Sequence, residues 1–106
     1  MVEDDLCEVV VTAADEDWLV AFTHRLVRER LAACGHHLPI RSVYTWQGQL
    51  HDERETRVAL HTRVGRVDAI IAAVQEAHDY EVPCVIALPV LQASPAYRAW
   101  VLDATT

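Results

Sequence analysis

Apolar positions along this chain recur in three rhythms, and the rhythm changes at residues that cap, turn or break. Cys7-Glu8-Val9-Val10-Val11-Thr12-Ala13 is short, β-branched and apolar on both faces, which predicts a central strand. Asp15 can cap the element that follows, with Glu16 and Asp17 well placed in its first turn. Leu19, Phe22, Leu26 and Val27 return at helical spacing and Leu31 extends the stripe. The helix is therefore expected to have ended by Gly35, just past Ala32-Ala33-Cys34.

Alternation takes over at Ile40 to Trp46, with Ile40, Ser42, Tyr44 and Trp46 on one face and Arg41, Val43 and Thr45 on the other. Gln47-Gly48-Gln49 predicts a tight hairpin connection. The returning strand, around Glu53 to Arg63, has Thr56, Val58, Leu60 and Thr62 as its core face. Val64, Val67, Ile70, Ile71, Val74 and Ala77 trace a second helix. Cys84 to Pro89 reads as an apolar strand, and Ser94 followed by Pro95 opens a short terminal helix through Tyr97, Trp100 and Val101.

This order predicts an α+β protein: a ferredoxin-like βαββαβ sandwich with a short C-terminal helix. Residues 1–6 read as an acidic tail and residues 7–106 as one domain. Two helices cover only one face of such a sheet, and a bare strand carrying Tyr44 and Trp46 is a poor surface in water. Either the terminal helix or another subunit should cover it.

Composition narrows the function classes. Hydrophobic residues make up 52% and charged residues 24% of the 106 residues, as in globular domains. The net charge of −7, without a basic patch, argues against a nucleic-acid partner. No apolar run reaches the length of a membrane span, and the acidic start is unlike a signal peptide, so a cytoplasmic location is expected. Cys7, Cys34 and Cys84 are odd in number and far apart, which supports neither a disulfide framework nor a structural zinc site.

His78-Asp79-Tyr80-Glu81-Val82-Pro83 is richer than a connection requires. A helix end with Tyr80 on the core and Pro83 before an edge strand explains part of it, and a site explains the rest.

Here the chain resembles the CutA divalent-cation tolerance family over nearly its whole length. The resemblance rests on Val11-Thr12-Ala13 with Asp15, Arg30-Leu31-Ala32-Ala33-Cys34, Ser42-Val43-Tyr44-Thr45-Trp46-Gln47-Gly48, and Glu55 ahead of Leu60-x-Thr62. It continues in His78-x-Tyr80-Glu81-Val82-Pro83, Leu88-Pro89-Val90 and Tyr97-x-x-Trp100. It implies a ferredoxin-like fold closed into a homotrimer, a cytoplasmic protein linked to tolerance of divalent metals, copper above all, and no enzymatic reaction. It also implies a likeness to PII-type signalling trimers, so the alternative is a PII-like module binding a small ligand at the cleft between subunits. His61-Thr62 stands where the family usually has Lys-Thr, Cys84 where it has Glu, and Asp79 where it has Pro. The family's proposed copper ligands, a first-strand Cys and a His pair, fall on Val11, Ala77 and His78, leaving one ligand of three.

Imidazole and thiolate suit copper or another borderline divalent cation. The eligible donors are Cys34, His36, His37, His61, His78, Asp79, Glu81 and Cys84. His78 and Cys84, flanking one connection, are the expected metal ligands. His36 and His37 are adjacent, so an extended backbone would aim them to opposite sides. Tyr44, Trp46, Glu55, His61 and Tyr80 are expected at a ligand cleft between subunits, with Glu55 and His61 too far apart to share one site within a chain.

Overall fold

A computed structural model describes residues 1–106. Strands β1 (Leu6–Ala13), β2 (Cys34–Trp46), β3 (Gln49–Arg63) and β4 (Val85–Pro89) form one antiparallel sheet in the order β2-β3-β1-β4. Helices α1 (Glu16–Arg28) and α2 (Val67–Ala77) cross between strands, α2 after a 3-10 turn at Val64–Arg66, and α3 (Pro95–Ala104) ends the chain. The element order is the one the alternating rhythms predict. No helix is long and apolar enough to cross a membrane.

One face of the sheet makes the core. Val9, Val11, Val58 and Leu60 are fully buried against Leu19, Leu26, Ile70 and Val74 of the two crossover helices. Asp15 accepts a hydrogen bond from the Trp18 N–H at 3.1 Å, and the Ser94 Oγ accepts one from Tyr97 N–H at 3.3 Å, so both predicted caps form.

The first helix stops at Arg28, earlier than its apolar stripe suggests, because Arg30 takes φ 61°. The Arg30 N–H then donates to Val27 O and the Leu31 N–H to Leu26 O, the bond pair of a Schellman stop with arginine in the place glycine usually takes. The Arg30 guanidinium reaches the α3 carbonyl end, donating to Asp103 O at 2.5 Å and to Thr106 O at 3.1 Å.

Strand β2 begins six residues before the alternation at Ile40, and β3 begins at Gln49. Pro39 is tolerated because β2 is an edge strand with one side free of ladder bonds. Gly35 lets α1 lie close, since a Cβ there would meet Thr23 Cγ2 at 2.6 Å. At the far end, Gln47 and Gly48 both have positive φ, the two-residue turn that suits the twist of a hairpin.

Strand β1 pairs with β3 only over Thr56–Arg63. Beyond that point Ile40–Trp46 and Gln49–Glu55 continue as a two-stranded arm, and the molecule measures 45 × 25 × 22 Å. The second sheet face is covered at one end by α3, through Leu6, Ala33 and Val101. Elsewhere it is open, with Leu38 45%, Ile86 51% and Leu88 42% exposed, alongside Trp100 of α3 at 47%.

Candidate functional site

The chemistry-bearing side chains gather at two places on the open side of the sheet. The first lies where the arm meets the connection after α2. Alternation along β2 puts Tyr44 and Trp46 on this face, and with Asp79, Tyr80, Glu81 and Val82 they line a recess of about 360 Å³. Tyr44 Oη donates to Glu53 Oε2 at 3.0 Å, and Tyr80 Oη donates to the buried Glu55 at 3.2 Å. Burial, with the Glu55 charge and hydrogen bond adding to it, pushes the Tyr80 phenol up to about 12.

A spectrophotometric titration should find that ionisation near pH 12, and Glu55→Gln should lower it part of the way towards the ordinary 10. The neutral phenol is the form the fold favours. Its stabilisation is therefore complete below pH 10 and lost as pH climbs through about 12. Ionisation at the ordinary value in the parent protein would mean that Tyr80 does not sit against Glu55.

His78 holds this connection in place. Its ring is buried, Nε2 donates to Thr12 O at 2.8 Å, and Nδ1 accepts the Tyr80 N–H at 3.0 Å. With the proton on Nε2 and the Nδ1 lone pair occupied, the ring offers nothing to a metal. Cys84 is exposed at the foot of β4, and neither it nor His78 belongs to a trio of close donors. Both ring nitrogens of His78 are thus engaged within the chain, and His78 acts as a structural clamp that orients Tyr80.

The second place is at the opposite end of the open face. Register sets Cys34 of β2 opposite His61 of β3, and His61 opposite Glu8 of β1. His36 follows Cys34 by two residues and so shares its face, its ring 5.1 Å from that of His61. His37 points the other way, to Thr23 Oγ1 at 3.0 Å. Ligand atoms of Cys34, His36 and His61 all lie within 4.8 Å of one another, the one such trio of His, Cys, Asp or Glu in the chain.

Tyr97 of α3 roofs this trio, with its Oη 2.5 Å from His61 Nδ1 and 3.2 Å from Cys34 Sγ. His61 Nε2 is 2.9 Å from Glu8 Oε2, which fixes the tautomer: a carboxylate accepts, so Nε2 carries the hydrogen and Nδ1 accepts from Tyr97. Arg57 balances Glu8 from 3.6 Å. Burial and the hydrogen bond with Cys34 raise the Tyr97 phenol above its usual range.

Of the residues expected at the cleft, Tyr44, Trp46, Glu55 and Tyr80 are thus together and His61 is not; it lies six positions along β3 from Glu55, at the other end of the face. Glu8 and Tyr97 were not foreseen as site residues. Glu8 had a signal, as the lone carboxylate in an apolar strand. Tyr97 had only its place on a capped helix and the Tyr97-x-x-Trp100 spacing, neither of which points to a metal or a ligand.

The family model described as CutA1 divalent ion tolerance protein matches residues 7–104. Protein CutA of Mus musculus is 38% identical over 96 residues, covering 90% of this chain and 54% of its own length, so the chain spans about half of that relative. The divalent-cation tolerance protein CutA of Salmonella newport is 34% identical, over 87% of this chain and 81% of the relative. The crystal structure of CutA1 from Oryza sativa superposes with a TM-score of 0.92 at 32% identity, covering 96% of this chain and 94% of that one.

Proposed function

This chain belongs to the CutA1 divalent ion tolerance family, and from that premise we propose that it acts as a homotrimer in tolerance of divalent cations, copper among them, by binding the cation rather than by catalysis. The observation that carries the reading is the half-open sheet. Leu38, Ile86 and Leu88 leave about half of their surface on that face uncovered, as does Trp100 of α3, and α3 closes only one end of it, so a second copy would bury apolar surface there.

Two sheet edges, β2 and β4, are also unpaired, and the seven-pair arm reaches past its own core. Lone two-stranded ribbons are marginal in water, so the arm fits best against a neighbouring copy. The family resemblance supplies the number three. The recess of Tyr44, Trp46 and Tyr80 then falls on a seam between copies, its acidic and aromatic lining completed by a neighbour.

Sedimentation at micromolar concentration should give about three times the chain mass of 11.9 kDa. Cells lacking the protein should grow poorly in raised copper or zinc, and restoring it should recover growth. A folded species at 11.9 kDa, or growth indifferent to the protein, defeats the proposal.

A further inference from the structure

We infer that Cys34, His36 and His61 form a binding centre for a borderline-soft divalent cation such as Zn2+ or Cu2+, backed by Glu8 and roofed by Tyr97. The inference rests on the reading that this protein handles divalent cations, and adds where and through which atoms it does so. It is separate from the positions the family resemblance points to, where Val11 and Ala77 hold no donor and the ring nitrogens of His78 are both engaged.

Three features support the assignment. One thiol and two imidazoles are the donor set of a zinc or copper site, whereas Mg2+ and Ca2+ call for oxygens. Spacing comes next. Donors within 4.8 Å need to draw in by only about 1 Å to reach the edge of a tetrahedron with metal bonds of roughly 2.0–2.3 Å. His36 is exposed, which leaves its side chain room for that adjustment.

The third feature is the outer sphere. His61 presents Nδ1 to the trio while its Nε2–H is held by Glu8, itself paired with Arg57. A ligating histidine whose other nitrogen is fixed by a carboxylate is the arrangement that orients the ring and raises its basicity towards a metal. Nothing in core packing calls for it.

Tyr97 Oη stands between Cys34 Sγ and His61 Nδ1, where an ion would sit. Binding therefore displaces the phenol from these two donors, and the Cys34 thiol loses its proton to solvent as the metal–sulfur bond forms. A recess of about 360 Å³, lined by Glu8, His61, Gln92, Ser94 and Tyr97 among others, opens beside the trio and gives an ion its entry.

Titration of the intact, reduced protein with Co2+ tests this, since a thiolate site shows a sulfur-to-cobalt charge-transfer band together with tetrahedral ligand-field bands. One equivalent per chain is expected, displaced by Zn2+ and unaffected by excess Mg2+. Cys34→Ser should abolish the charge-transfer band, and Glu8→Gln, which leaves the ligands in place, should weaken binding about 10- to 100-fold. His36→Gln changes an exposed residue, keeps the fold, and should weaken binding at least as much. Cys84→Ser, at an exposed thiol, should leave the cobalt spectrum unchanged.

Stoichiometric binding that survives Cys34→Ser and His36→Gln, or that is lost with Cys84→Ser, overturns the site. So does weak binding without a charge-transfer band. A trimer that restores growth in copper yet gives no such cobalt spectrum removes this centre and leaves the proposed function standing.

Discussion

Leu60→Ala should lower the free energy of unfolding by about 3–5 kcal/mol, the upper part of the range for a buried leucine truncated to alanine. Leu60 is wholly inaccessible, in the part of β3 paired on both sides, with Val9 of β1 on one side and Gly35 of β2 on the other. Its Cδ2 lies in the space Gly35 leaves, 3.1 Å from where a Cβ would stand. Strands on both flanks are hydrogen-bonded and cannot shift inward, so the cavity stays largely open. Urea unfolding at one fixed chain concentration should show a lower midpoint with an unchanged slope. A loss under about 1 kcal/mol would show that the packing around Leu60 can collapse, which the rigid central strands forbid.

Ile86→Asp should act almost entirely on assembly. In a lone chain Ile86 is 51% exposed on the edge strand, and a polar replacement there costs within about 0.5 kcal/mol. Closed between copies, the same carboxylate would be stripped of water without a partner, a cost of several kcal/mol repeated at each seam. The variant should sediment at the chain mass of 11.9 kDa at micromolar concentration and melt well below the parent. Leu38→Asp, across the same face on β2, should do likewise. If both variants keep the parent's mass, the open face is not where copies meet.

Local signals carried most of the fold. Asp15, Ser94 and Pro95 announce their helices through chemistry confined to one turn, and β3 declares its core face through Thr56, Val58, Leu60 and Thr62, all buried. Where neighbours decide, the pattern misleads. Gly35, His36-His37 and Pro39 look like a loop, yet they form the first half of β2 because an edge strand tolerates proline and α1 needs the missing Cβ. Leu31 continues the α1 stripe, yet Arg30 turns left-handed first and leaves it outside the helix. Cys84 to Pro89 reads as an apolar strand after Pro83, and as an edge strand β4 leaves most of its residues exposed.

The candidate sites divide along the same line. Tyr44, Trp46, Glu55 and Tyr80 could be grouped because alternation and one loop nearly suffice to bring them together. The Cys34 trio depends on the registers of β1, β2 and β3 and on the docking of α3, none of which any single segment encodes. His78 and Cys84 are near in sequence, which made them the obvious pair, while the hydrogen bond from His78 to Thr12 is a contact 66 residues away.

The overhanging arm has a consequence for the newly made chain. In the proposed homotrimer the ribbon would finish its hydrogen bonds before any sister molecule arrived, and until then apolar side chains such as Val43 and Leu50 would stand in solvent. Synthesis rate and local abundance would then enter its maturation, since a solitary chain would be exposed to proteases and aggregation while an assembled one would be shielded.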